Sequence, residues 1–247
     1  MTTAAPLRRD PPPVPAKRAP KTRSRRGGVA RPWACWKTYV GRPETDWCLS
    51  LGCAIAELGN GLHLAEHYED ALTVREAELA TMRRVGAPEE NVLIAQSNLA
   101  STYHALERFE ESNCVLRDVY SGRLKLYGKE HERTLIAANN YANSLVGIDR
   151  FEEAKSLLRE TVPVTQRVLG ANHDFTLRMR SSYAHALYND PSASLDDLRE
   201  AVTTLEDAER IARRVLGGAH PVMVDMERSL RVARAALRAR EAQPGEA

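Results

Sequence analysis

The chain has 247 residues, 28% of them charged, yet its formal net charge is only +2. No apolar stretch approaches the roughly 20 residues needed to cross a bilayer, and the start MTTAAPLRRDPPP lacks the apolar core of a secretory signal, so a soluble, cytoplasmic protein with no membrane partner is expected. Four cysteines, Cys35, Cys48, Cys53 and Cys114, are too few for a disulfide scaffold of this length and form no CxxC pair, so they read as reduced thiols.

Residues 1–32 hold nine Lys/Arg against the single Asp10, a local charge of +8, which leaves −6 for the remainder. Seven of the 13 prolines lie there too, with only Leu7, Val14 and Val29 as large aliphatic side chains. Such a segment cannot bury enough apolar surface to offset its ordering entropy, so 1–32 is expected to be a disordered basic arm. Its densest run, KRAPKTRSRR at 17–26, has three readings: nuclear import or nucleic-acid contact, an organelle transit peptide, or a plain flexible arm, including one that docks on the acidic remainder. Nucleic acid would be contacted only through residues 8–31. Next, Trp33, Trp36 and Tyr39 have the spacing of a short amphipathic helix, so 33–44 is expected to cover the first repeat.

Internal repetition organises the rest. Residues 98–139 align without a gap on 140–181, with 12 identities in 42 positions, among them Ala100/Ala142, Phe109/Phe151, Glu111/Glu153, Leu116/Leu158, Gly128/Gly170 and His131/His173. A third copy follows after a five-residue insertion: Ala154, Gly170 and His173 recur 47 residues on as Ala201, Gly217 and His220, and Pro191 to Leu195 fills the intervening turn. A worn earlier copy sets Tyr68, Ala71 and Gly86 opposite Phe109, Ser112 and Gly128. Four repeats are thus expected at about 45–91, 92–133, 134–175 and 176–220.

Each repeat reads as two helices. In the first, a large residue precedes a small one and another large one follows three positions on: Leu58-Gly59-Leu62, Leu99-Ala100-Tyr103, Tyr141-Ala142-Leu145, Tyr183-Ala184-Leu187. This spacing puts one stripe on one helix face. The small residue admits the second helix, which brings Phe109, Ser112 and Leu116 or their equivalents. Gly86, Gly128, Gly170 and Gly217 fall where a left-handed C-terminal cap is wanted. Pro43 and Pro221 suit the first position of a helix; Pro163, inside a second helix, removes a backbone bond to Arg159 and predicts a kink.

Continuing the alignment puts Arg231 and Arg234 at positions that are small or large and apolar elsewhere. Arginine does not fit a tight helix contact, so 221–240 reads as a capping helix with Met223, Met226, Leu230, Ala233 and Leu237 on its inner stripe and Arg228, Arg231, Arg234 and Arg238 beside it. Residues 241–247 read as a disordered tail.

The small-large spacing, the period and the NLA…FEEA…LL…LG…H…T pattern resemble the tetratricopeptide repeat, in the 42-residue variety of kinesin light chains, over 45–240. The implied fold is all-α: a right-handed α-α superhelix of about four helical hairpins plus a C-terminal capping helix. The implied function is a non-enzymatic scaffold that binds a protein or peptide partner in its inner groove with no cofactor. The alternative is a regulatory or nucleic-acid-associated protein acting through the basic arm.

Metal and nucleotide chemistry find little support. His63-Leu-Ala-Glu-His67 matches an inverted zinc-peptidase pattern, but Glu66 and His67 align with Glu107 and Arg108 in the polar turn between helices. His131, His173 and His220 each precede a helix start, where a side chain accepts a backbone N–H. The GKEH, GANH and GGAH turns lack a phosphate-loop lysine followed by Ser or Thr, and Cys35, Cys48 and Cys53 lack a paired fourth ligand. The groove remains. One and four residues beyond the small position lie the columns Asn60, Ser101, Asn143, His185 and His63, His104, Val146, Tyr188. Three residues back come Ser97, Asn139 and Ser181, and six back Arg178. The resemblance adds Asn98 and Asn140. Amides and hydroxyls can pair with an extended backbone, and Arg178 or a protonated His185 would favour acidic residues in the peptide.

Overall fold

A computed structural model describes residues 44–218 and 220–242, with side chains from 52 onward. The segments expected at 1–32 and around Trp33 and Trp36, together with Pro43 and residues 243–247, lie outside the described residues. Within these bounds the chain forms nine helices and no strand: α1 (Glu44–Leu64), α2 (Tyr68–Arg84), α3 (Glu89–Ala105), α4 (Phe109–Tyr127), α5 (Glu132–Gly147), α6 (Phe151–Leu169), α7 (Asp174–Tyr188), α8 (Leu195–Leu216) and α9 (Pro221–Glu241). Each helix packs on the next, and α7 also touches α5 and α9, so the first helices of successive hairpins share one face. Helix α6 continues through Pro163 to Leu169.

Small residues set the contact distances. Ala100, Ala142 and Ala184 are at most 1% exposed, as are Ala71, Ser112, Ala154 and Ala201 on the second helices, where a larger side chain would push the pair apart. The main apolar cluster, with Leu145, Leu158, Leu187 and Leu205, continues into Leu230 and Ala233 of α9. Val222, Met223 and Met226 fix the start of α9 against Leu177 and Ala208. Its Arg228, Arg231, Arg234 and Arg238 are exposed, as a terminal helix requires.

The turns within repeats close in an unexpected way. Glu66, Glu107 and Asp149 adopt positive φ of 66°, 59° and 59°. The next N–H reaches back five residues in each, His67 to Leu62, Arg108 to Tyr103 and Arg150 to Leu145, all at 2.9 Å. This is the bond pattern that glycine normally closes at a helix end. Between repeats, Gly86 closes a turn of that same kind at φ 65°, with Ala87 N–H bonded to the Met82 carbonyl at 2.9 Å. The other three differ from the expected left-handed cap: Gly128, Gly170 and Gly217 combine φ of 81–94° with ψ of 153–173°, a region that essentially only glycine enters. The histidines that follow act as expected, with Nδ1 of His131, His173 and His220 accepting the N–H two residues on at 3.2–3.3 Å.

Two polar groups are buried where the pattern alone gives no warning. In the first repeat Arg75 and Glu78, 4% and 2% exposed, occupy the positions held by Leu158 and Thr161 in the third. Gly59 makes room for the guanidinium stem, since a Cβ there would sit 3.2 Å from Arg75 Cγ. In the fourth repeat the inserted turn carries Asp190, 7% exposed, which accepts from the Ser192 N–H at 2.8 Å and from buried Lys155 of α6 at 2.9 Å. Burial works against both charges, but the bond between them, with Glu152 also pairing Lys155 and Ser192 also donating to Asp190, outweighs it: the Lys155 ammonium titrates higher than usual and the Asp190 carboxyl lower. Ser194 then opens α8 with a capping box to Asp197.

Candidate functional site

The first helices carry the polar columns because their other side is consumed by packing. Between α5, α7 and α9 they enclose a hollow of about 310 Å³, lined by Asn143, Arg178, Ser181, Ser182 and His185 together with Asp225, Met226 and Ser229 of the last helix. Of the residues expected in the groove, Asn143, Arg178, Ser181 and His185 meet here. Tyr188 stands beside them, its ring edge-on to His185 at 5.4 Å. Burial pushes its phenol up, and a hydrogen bond with Ser229 partly offsets this.

The charges differ from the expectation of a cationic His185. Its ring is half-buried, which lowers its pKa, and Asn189 donates an amide N–H to Nε2 at 2.7 Å. Both features favour the neutral imidazole, and a ring that accepts at Nε2 carries its proton on Nδ1. Arg178 lies 3.3 Å from Asp174 one turn earlier, so its charge is offset on its own helix.

The remaining candidates lie along α1, α3 and α5, away from this hollow. Asn60 is drawn into the fold, its Oδ1 accepting from Arg75 at 3.1 Å. The backbone carbonyl of Asn98 also accepts from Arg75. Ser97 bonds its own helix at the Leu93 carbonyl, 2.8 Å, and faces Arg123. Ser101, His104 and Asn140 are exposed. Asn139 is not open to a ligand: it is 9% exposed, and its Oδ1 has no hydrogen-bond partner among the described residues.

Asp225 and Ser229 escaped the sequence reading because α9 reads as a cap, in which only the apolar stripe with Met226 was singled out on the side facing the stack. The signal was present, since Asp225 and Ser229 lie 47 residues beyond Arg178 and Ser182. The zinc reading fails on geometry. His63 stacks edge-on with Tyr68 and faces Thr102, and among the described residues no group of three or more His, Cys, Asp and Glu side chains is placed to hold a metal. Cys53 and Cys114 are free and exposed. A second hollow of about 220 Å³ lies at the turn edge beside Asp149 and Asp190, where Arg150 pairs with Glu153 and Asp190 with Lys155.

Residues 92–133 and 134–174 match the tetratricopeptide repeat family. The kinesin light chain nearly identical TPR-like repeats of Podosopora anserina superpose with a TM-score of 0.64 at 23% identity, over 76% of this chain and 87% of that one. A single-substitution variant of those repeats gives 0.65 at the same identity and coverage. BtubC (BKLC) from P. vanneervenii gives 0.66 at 13% identity, over 91% and 94% of the two chains. No curated protein matches the sequence. At these identities the structural likeness is one of fold, a solenoid of stacked helical hairpins, within which residues 92–133 and 134–174 match the tetratricopeptide repeat.

Proposed function

We propose that this chain is a non-enzymatic adaptor that holds an extended peptide of a partner protein along its first helices, with the hollow between α5, α7 and α9 as the principal subsite. The observation that carries this reading is the convergence of Asn143, Arg178, His185, Asp225 and Ser229 on one open space of about 310 Å³. That volume suits a side chain with its flanking backbone. The polar groups are of the kind that pair with a peptide: amide and hydroxyl groups that both donate and accept, and a neutral imidazole whose Nδ1–H has no acceptor among the described residues. Solenoids of stacked hairpins commonly use this face for binding.

Replacing Asn143 and His185 together by Ala tests the reading. Neither side chain belongs to an apolar core cluster, so far-UV circular dichroism should be unchanged while affinity for a captured partner peptide falls about tenfold or more. Unchanged affinity would move the site elsewhere.

A further inference from the structure

One register position of the first helices changes character along the stack. It is Ile94 on α3 and Ile136 on α5, then Arg178 on α7 and Asp225 on α9. Ile94 is 44% exposed, although most large aliphatic side chains of these helices are buried. The last two members line the hollow. There the charges do not cancel. Asp174 offsets Arg178 and His185 is neutral, whereas Asp225 is exposed and has no ion-pair partner among the described residues. Asp225 also lies beyond the first turn of α9, which carries no acidic residue, so the helix dipole does not account for it. Taken together, Asp174, Arg178 and Asp225 leave one negative charge facing the space.

Adjacent helices pack about 8–10 Å apart. Two repeat steps therefore separate Ile136 from Asp225 by about 20 Å, which an extended chain rising about 3.3 Å per residue covers in roughly six residues. We infer that the groove selects a two-part peptide: an aliphatic side chain seated over Ile94 and Ile136, and a Lys or Arg about six residues away whose cation reaches the Asp225 carboxylate. This rests on the groove reading above and reverses the preference for acidic peptides that Arg178 alone would suggest.

A display selection from a random dodecapeptide library on the intact chain tests it, run in parallel on Asp225→Asn, Ile94→Ser and Ser182→Trp. The wild-type chain should enrich peptides carrying Lys or Arg about six residues from an aliphatic residue. Asp225→Asn should cut the basic enrichment about tenfold, the scale of one charge-assisted hydrogen bond, and leave the aliphatic preference; Ile94→Ser should do the converse. Enrichment of Asp or Glu, or a basic preference that survives in Asp225→Asn, overturns the inference. The tryptophan side chain introduced by Ser182→Trp fills the hollow, so with circular dichroism showing native helix content it should abolish capture. If Ser182→Trp captures the same peptides as the wild-type chain, or if no peptide is enriched by any form, the groove reading itself falls. Acidic peptides blocked by that variant would sink only the two-part preference.

Discussion

Arg75 spreads its guanidinium over three acceptors, the Asn98 carbonyl, Thr102 Oγ1 and Asn60 Oδ1, and so ties α2 to both neighbouring helices. Glu78 has less support. Burial raises its pKa from the ordinary 4.5 to about 7, even though nearby Arg75 pulls the other way, and its Oε2 has no partner among the described residues. A carboxyl raised in the fold favours the protonated state. Its contribution to stability is therefore present below pH 4.5 and lost as the pH rises through 7. Glu78→Gln should stabilise the chain at about pH 8 by an amount on the order of 3 kcal/mol, read as a higher thermal midpoint, and the gap from the wild-type chain should close by about pH 5. A gap independent of pH would show that the carboxyl titrates normally. The left-handed turn residues invite a second test. Glu107→Gly should stabilise by about 1 kcal/mol, because glycine meets no Cβ clash at φ 59°, whereas Glu107→Ala should not; both are read by urea denaturation. Neither feature was legible in the sequence. Arg75 and Glu78 made the first repeat look merely worn, because a charged residue at a core position resembles decay until its partners are seen. An acidic residue in a polar turn gives no sign of its φ.

At the scale of elements the sequence was far more informative, and the physical reason is periodic packing. A small residue that lets two helices approach must recur in every hairpin, so Ala100, Ala142 and Ala184 mark the same contact each time. The histidine caps were readable for the same reason, since each helix start needs an acceptor for its free N–H groups. The inserted turn at Pro191 to Leu195 was readable as a break in the period, but the ion pair beside it was not, because a single occurrence has no repeat to compare with. Its Lys155–Asp190 pair joins α6 to the entry of α8, and removing one partner leaves a buried charge. Asp190→Asn should destabilise the chain by about 3 kcal/mol in thermal or denaturant unfolding. Loss below about 1 kcal/mol would mean that Glu152, the other carboxylate paired with Lys155, holds its charge alone. Helix α9 shows how an element can serve twice. Its buried Met223, Met226 and Leu230 end the stack, as its arginines suggested, while Asp225 and Ser229 on another face complete the hollow.

Across the whole molecule the charge of the sequence is unevenly divided. The −6 remainder holds the repeats, and the +8 lies in residues 1–32, outside the described structure. Within the array the polar groove columns separate in function: Asn60 and Asn139 are absorbed by the fold, whereas Asn143 and His185 reach open space. Counting positions along a helix cannot make that distinction, because burial at one register depends on what the neighbouring repeat presents. Ser97 meets Arg123; Asn143 meets the end of the stack. The central claim is that a peptide lies on the first helices at that end. Backbone amide chemical shifts of the isotopically labelled chain, titrated with a selected peptide, test it most directly. The largest changes should fall at Asn143, His185 and Ser229 on α5, α7 and α9. Changes confined to α4, α6 and α8, or to the turns at Glu107 and Asp149, would contradict it.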